Sequence, residues 1–103
     1  MKTDRALNML GLAARARKLV SGEFSTEKAV KTGKAVLVLV AEDASENTKK
    51  LFTDKCAFYE VPVQSYGTKE DLGRAIGKDL RSSVGVCDAG LAEAIIKRLE
   101  EEE

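Results

Sequence analysis

The feature that most constrains this chain is an uninterrupted apolar run at residues 35–41, Ala-Val-Leu-Val-Leu-Val-Ala. Alternate residues of a strand point to opposite faces, so both faces of this strand are apolar and both must be covered. The run therefore predicts a strand in the centre of a sheet, with helices packed above and below it. It is much shorter than the roughly 18 residues that a membrane span requires, and no membrane span is predicted.

The remaining segments alternate between helical and extended patterns with short connections. Residues typical of helix starts occur at Thr3, Ser21 with Gly22, Asp43 with Glu46, Thr68 and Asp88. The first helix is expected to end near Lys18, the second at Gly33 and the fourth at Gly77. Further strands are predicted at 19–20, 61–63 and 82–87. This order predicts an α/β fold, a three-layer α/β/α sandwich with a four-stranded mixed sheet. One domain spans residues 1–99, and an acidic C-terminal tail covers 100–103.

The composition argues against catalysis. The 103-residue chain contains no histidine, which excludes Ser–His and Cys–His catalysis and removes the commonest zinc ligand. Cys56 and Cys87 fit no zinc spacing, and we expect free buried thiols in a reducing cytoplasm. The adjacent acids Glu42 and Asp43 are expected to cap a helix and not to bind a metal. No enzyme activity, metal or cofactor is predicted.

Charge is unevenly distributed along the chain, although seventeen basic residues balance seventeen acidic ones overall. The first 34 residues carry eight basic and three acidic residues, whereas the last four positions are all glutamate. Such an asymmetry indicates a nucleic acid or another acidic surface as partner. A solvated basic face with no partner would give the same pattern.

The start of the second predicted helix is the first candidate surface. A glycine at position 22 leaves the first amides of the helix accessible to an anion, and Lys28 and Lys31, three positions apart, share one face. The alternative is an ordinary capped helix with a solvated lysine face. Phe24 could stack on a base, but we expect it to be a core residue of this helix.

The loop before the last strand is the second candidate surface. Lys78 and Arg81 lie on either side of Leu80 there. The two cations can contact phosphates, while the leucine can press against an unstacked base. The alternative is a plain helix-to-strand connection with Leu80 folded inward.

Several short sequence segments, spread over about residues 4–96, resemble those of a known family. They lie at 10–18, 21–22, 28–29 with Gly33, 38–43, 54–57, 61–62 and 71–77. Their order and spacing resemble the kink-turn-binding ribosomal protein family (archaeal seven-Ae, eukaryotic thirty-e and relatives), in particular its small bacterial YlxQ-type branch. The resemblance implies an α/β/α fold and a cytoplasmic protein that binds structured RNA without cofactor or catalysis.

The family's RNA-reading pattern is only partly present. Members open their second helix with Gly-x-Asn-Glu-x-x-Lys, whose side chains hydrogen-bond the base edges of sheared G·A pairs. The pattern falls here on Gly22, Phe24, Ser25 and Lys28, so the glycine and lysine match and the asparagine and glutamate do not. In the family's apolar loop, Leu80 keeps the apolar character.

We therefore predict a ribosomal-protein-like RNA-binding protein that recognises kink-turn or bulged RNA through the start of its second helix and the loop before its last strand. The predicted RNA-binding residues are Gly22, Glu23, Phe24, Ser25, Lys28, Lys31, Lys78, Leu80 and Arg81. The expected partner is structured RNA, ribosomal RNA or another kink-turn RNA, with the ribosome as a candidate assembly. A cytoplasmic monomer with no membrane or small-molecule ligand is expected. The alternative is a protein-interaction module on the same fold, anchored by an exposed Phe24 beside Leu80.

Overall fold

The structure, a computed structural model, describes residues 4–101. Within this range, helices and strands alternate along the chain: α1 (Arg5–Arg15), β1 (Leu19–Ser21), α2 (Glu23–Lys31), β2 (Leu37–Val40), α3 (Glu46–Phe58), β3 (Val63–Ser65), α4 (Lys69–Ala75), β4 (Ser83–Val86) and α5 (Ala89–Glu101). Every predicted helix and strand is present, with ends that differ by a few residues.

The strands form one mixed sheet in the order β1-β4-β2-β3. β2 is parallel to β3 and antiparallel to β4, and β4 is also antiparallel to β1. The apolar run at 35–41 contributes β2, which has a neighbouring strand on each side and is buried along its whole length. The predicted central strand is therefore confirmed, and the reason is the apolar character of both of its faces.

The helices cover the sheet in two layers. α2 packs against α3, whereas α1 packs against α4 and α5. The central strand β4 contacts α2 as well as α4 and α5. The predicted three-layer α/β/α sandwich is confirmed. No helix within residues 4–101 combines the length and apolar character needed to cross a bilayer.

Two helix starts follow the sequence prediction closely. Thr68 caps α4, accepting from the amide of Asp71, whose carboxylate accepts from the Thr68 amide in return. Asp88 caps α5, accepting from the amide of Leu91 at 2.9 Å. Side-chain acceptors at these positions satisfy amides that have no partner inside the helix.

The predicted cap of α3 is wrong. Ser45 caps this helix, accepting from the amide of Thr48, because a turn that joins the amide of Ala44 to the carbonyl of Ala41 delays the helix start. Asp43 instead accepts from the backbone amide of Lys69 at 2.8 Å, so its carboxylate caps the start of α4. The expectation that Asp43 caps a helix holds, but the helix is a different one.

The outer ends of the fold also differ from prediction. Asp4 caps α1, accepting from the amide of Leu7 at 2.9 Å, and the predicted cap Thr3 lies outside the described residues. α1 ends at Arg15 and not near Lys18, because Arg17 takes a positive φ of 62° that interrupts helical geometry. α5 continues to Glu101, two residues into the stretch predicted as an acidic tail.

Both cysteines are free, as predicted, but only Cys56 is buried as expected. Burial in α3 raises the pKa of the Cys56 thiol to about 11. Cys87 is only half-buried, and burial raises its pKa although the nearby Lys34 and Lys18 act in the opposite direction. Both thiols are therefore protonated near neutral pH, and neither has the thiolate character of a reactive cysteine.

Candidate nucleic-acid interface

The structure brings the two predicted surfaces together. β1 and β4 are antiparallel, so the end of β1 lies beside the start of β4, and the amide of Gly22 donates to the carbonyl of Ser83 at 3.0 Å. Arg81, in the loop before β4, donates from Nε to the hydroxyl of Ser21 at 3.1 Å. These bonds join the start of α2 to the loop. We define the α2–loop surface as residues 22–25, Lys28 and residues 78–81.

The start of α2 presents main-chain donors. Gly22 is the N-cap residue with φ 91° and ψ 157°, a conformation that residues with a side chain rarely adopt. No side chain within residues 4–101 caps the helix. The amides of residues 23–25 are therefore available to an acceptor outside the protein, and the helix dipole favours an anion there.

One face of α2 carries the exposed residues Phe24, Lys28 and Lys31, and the opposite face, made of Thr26, Ala29 and Val30, is buried. Lys28 lies one turn beyond Phe24, within the α2–loop surface.

Lys31 occupies a different position from the other predicted residues. It lies about 10 Å beyond Phe24 along the helix and pairs with Glu27 at 3.3 Å. It also lines a separate groove with Tyr59 and Pro62. The structure therefore does not bring Lys31 to the loop at 78–81.

Two apolar side chains project from this basic surface. The side chain of Phe24 is 79% exposed and that of Leu80 is 59% exposed. The prediction that Phe24 belongs to the core is wrong, because a residue two positions before the buried Thr26 points to the opposite side of the helix. Leu80 is not folded inward either. An exposed ring beside lysines is suited to stacking on an unpaired base.

The loop at 78–81 is held against α4 by main-chain hydrogen bonds. The amide of Lys78 donates to the carbonyl of Gly73 at 2.8 Å, and the amide of Arg81 donates to the carbonyl of Lys69 at 3.0 Å. The Arg81 guanidinium also donates to the carbonyl of Leu80 at 2.8 Å. The backbone is fixed while the side chains of Lys78 and Leu80 remain exposed, so the loop presents these side chains from a fixed main chain.

Glu23 is held by the neighbouring helix. The hydroxyl of Thr48 donates to Glu23 Oε1 at 3.0 Å, and the hydroxyl of Ser45 donates to Thr48 Oγ1 at 3.0 Å. This chain of hydrogen bonds ties the start of α2 to the start of α3. Sequence reasoning missed it because the partners are distant along the chain; the only signal was the polar start of α3.

Positive charge predominates on the α2–loop surface. Lys28, Lys78 and Arg81 supply the cations, while Glu23 and Asp79 are its acidic residues. Within residues 4–101, no group of three or more His, Cys, Asp or Glu side chains is arranged to hold a metal ion. The surface offers amide donors, cations and apolar contacts, which is the chemistry of binding a polyanion.

Comparison with known proteins shows which family and which relatives this chain is similar to in sequence. The family model described as "Ribosomal protein L7Ae/L30e/S12e/Gadd45 family" matches residues 4–96. The RNA-binding protein YlxQ of Bacillus subtilis (strain 168) is 49% identical over 92 residues, which cover 89% of this chain and 92% of that protein. The RNA-binding protein YlxQ of Enterococcus faecium is 43% identical over 90 residues, covering 87% and 86% respectively. Both YlxQ relatives are named as RNA-binding proteins, in agreement with the prediction that the chain is not an enzyme.

Two solved structures are similar to this fold. A Bacillus halodurans protein described as having unknown function superposes with a TM-score of 0.91 at 44% sequence identity, covering 95% of this chain and 99% of that one. A Giardia lamblia 15.5kD RNA binding protein superposes with a TM-score of 0.78 at 24% identity, covering 92% and 82%. At that identity the second comparison supports the fold alone.

Proposed function

The chain belongs to the ribosomal protein L7Ae/L30e/S12e/Gadd45 family, as the resemblance predicted, and on this premise we propose that it binds structured RNA through the α2–loop surface. The observation that carries the proposal is the hydrogen bond from Arg81 to Ser21, which joins the uncapped start of α2 to the basic loop. The names of the two YlxQ relatives support an RNA partner.

The favoured ligand is a kinked or bulged RNA stem. In a straight duplex the bases are stacked inside, so the exposed side chains of Phe24 and Leu80 find no base to contact. A kink or bulge exposes unstacked bases beside a bent phosphate backbone. The amides of residues 23–25, with Lys28, Lys78 and Arg81, then contact the phosphates while Phe24 and Leu80 contact the bases.

Selectivity among RNA ligands is expected to depend on the shape of the RNA more than on the identity of its bases. Phe24 and Ser25 occupy the positions where the family pattern has Asn and Glu. A phenyl ring makes no hydrogen bond to a base edge, and one hydroxyl cannot reproduce the paired contacts of a carboxylate. Ring stacking tolerates any base, so we expect discrimination between kinked and straight RNA with weak preference among kink sequences.

The protein is proposed to act as a monomer in the cytoplasm, on ribosomal RNA or another kink-turn RNA. All residues of the α2–loop surface come from one chain, so a second copy is not needed to complete it. Both free cysteines are suited to a reducing compartment. Lys31 reaches RNA only where the bound stem extends along α2.

Replacing Phe24 with alanine is expected to weaken binding to a kink-turn stem by about 1–3 kcal/mol, roughly 5- to 150-fold, the range of one base–aromatic stack. Phe58→Ala is the matched control, because Phe58 is 77% exposed and lies at the end of α3. Gel shifts with the kinked stem and a straight duplex of equal length give the measurement. Wild-type protein and Phe58→Ala are expected to shift the kinked stem preferentially.

The same gel separates the alternative function. If the wild-type protein shifts neither RNA, the RNA-binding proposal is wrong and the exposed pair Phe24 and Leu80 becomes the anchor of a protein-interaction module. If Phe24→Ala binds as tightly as Phe58→Ala, the stacking role of Phe24 is wrong.

A further inference from the structure

A groove of about 530 Å³ leads away from the α2–loop surface, between α1 and α4. Ser21 and Lys78 line its near end; Lys78 belongs to the α2–loop surface, and Ser21 is the acceptor of the Arg81 hydrogen bond. Arg15 of α1 and Arg74 of α4 line the rest of it. The groove is therefore continuous with the proposed RNA-binding surface, and its two arginines lie outside the predicted RNA-binding residues.

The charged residues that line the groove are all cations. Its charged lining residues are Arg15, Arg74 and Lys78, and all three are exposed. Among the described residues 4–101, Arg15 forms no ion pair, whereas Arg74 pairs with Glu70 one turn earlier on the same helix. An exposed pair of this kind contributes little net free energy, so the Arg74 guanidinium can exchange its carboxylate for another anion.

The floor of the groove lies where α1 and α4 approach each other. A Cβ on Gly11 would lie 2.8 Å from the carbonyl oxygen of Ala75, so the backbones of α1 and α4 are in direct contact there. Arg15 lies on α1 and Arg74 on α4, so the two arginines line opposite sides of the groove. A shallow basic channel of this form suits an extended chain of anions better than an enclosed small molecule.

The basic lining extends over only part of the space between α1 and α4. A further groove of about 610 Å³ between the two helices shares Arg15 and Arg74 with the first groove, and the acidic residues Asp4 and Asp71 complete its charged lining. Carboxylates repel phosphates, so a polyanion that follows the channel from the α2–loop surface is accepted as far as Arg15 and Arg74 and not beyond.

We infer that this groove holds the sugar–phosphate backbone of an RNA strand that leaves the kink, with Arg15 and Arg74 on its phosphates. The inference rests on the proposed function, because its ligand is a continuation of the same RNA. Arginine is suited to the task because its planar guanidinium bonds two phosphate oxygens at once.

The test compares the double variant Arg15→Gln/Arg74→Gln with the wild-type protein on two kinked stems, one with a short flanking helix and one extended by a helical turn. Two lost phosphate contacts are expected to weaken binding of the extended stem about tenfold or more at moderate salt. They should lower the slope of log affinity against log salt by about 2. Binding of the short stem and preference for kinked over straight RNA should remain. Arg5→Gln/Arg98→Gln is the matched control, because both arginines are instead placed near Glu101.

The outcomes separate this inference from the proposed function. A double variant that binds the extended stem with wild-type affinity and salt slope overturns the groove assignment and leaves the α2–loop surface intact. Equal losses for the double variant and its control also overturn it, because only general charge is then involved. Failure of the wild-type protein to bind either stem overturns the proposed function and this inference with it. A protein or an acidic peptide that competes with RNA only in the wild-type groove would assign the groove to that partner instead.

Discussion

Replacing Gly73 with alanine is expected to lower the free energy of unfolding by about 3 kcal/mol, at the upper end of the range for overpacking. A Cβ on this residue would lie 1.4 Å from the carbonyl oxygen of Asp79 and 2.6 Å from its carbonyl carbon. The obstacle is backbone and cannot rotate away as a flexible side chain does, so α4 and the loop at 78–81 must separate. Urea unfolding measures the change.

Gly90→Ala is the matched control, because Gly90 also lies in a helix and its Cβ would come no closer than 3.4 Å, to the carboxylate of Asp88. Alanine favours helix over glycine by up to about 1 kcal/mol, so this variant should be as stable as the wild type or slightly more stable. Since the loop carries Lys78, Leu80 and Arg81, Gly73→Ala should also weaken RNA binding. Equal stabilities of the two variants would show that the loop does not pack on Gly73 as described.

Reversing the charge of Lys28 is expected to weaken RNA binding strongly. Lys28→Glu removes a cation from the exposed face of α2, one turn from Phe24, and places a carboxylate where the phosphate backbone would lie. We expect affinity for a kinked stem to fall about 100-fold at low salt and the log–log salt slope to decrease by about 1 or more. Titration of labelled RNA at several salt concentrations gives both values.

Lys97→Glu is the control for Lys28→Glu, because Lys97 is exposed on α5 and the change in net charge is the same. It should shift affinity only slightly through the general field of the protein. If the two variants lose affinity equally, the loss reports total charge, and Lys28 has no special place in the interface.

The fold was predictable from sequence because its main determinants are local. An apolar run on both faces can only be an internal strand, which is how residues 35–41 predicted β2. Thr68, a residue typical of helix starts, likewise marked the start of α4. One detail depended on a neighbour outside the local pattern. Asp43 caps α4 and not α3 because the turn after β2 carries it to Lys69.

The candidate site was predictable in its parts but not as a whole. Each of its two segments has a visible signature, a glycine before lysines and a leucine between cations. Their convergence depends on the pairing of Ser21 with Val84 across β1 and β4, which no local pattern specifies. The exposure of Phe24 could have been predicted from its helical phase relative to Ala29 and Val30, but an aromatic residue was assumed to favour the core.

The most direct test of the central claim is to follow backbone amide chemical shifts by NMR while a kink-turn stem is titrated into the isotope-labelled protein. The account predicts that the largest shifts fall on residues 22–25 and 78–81 of the α2–loop surface, with smaller changes along the groove at Arg15 and Arg74. Shifts concentrated instead at Phe58 and Tyr59, the exposed aromatic pair at the end of α3, with none at the start of α2, would contradict it.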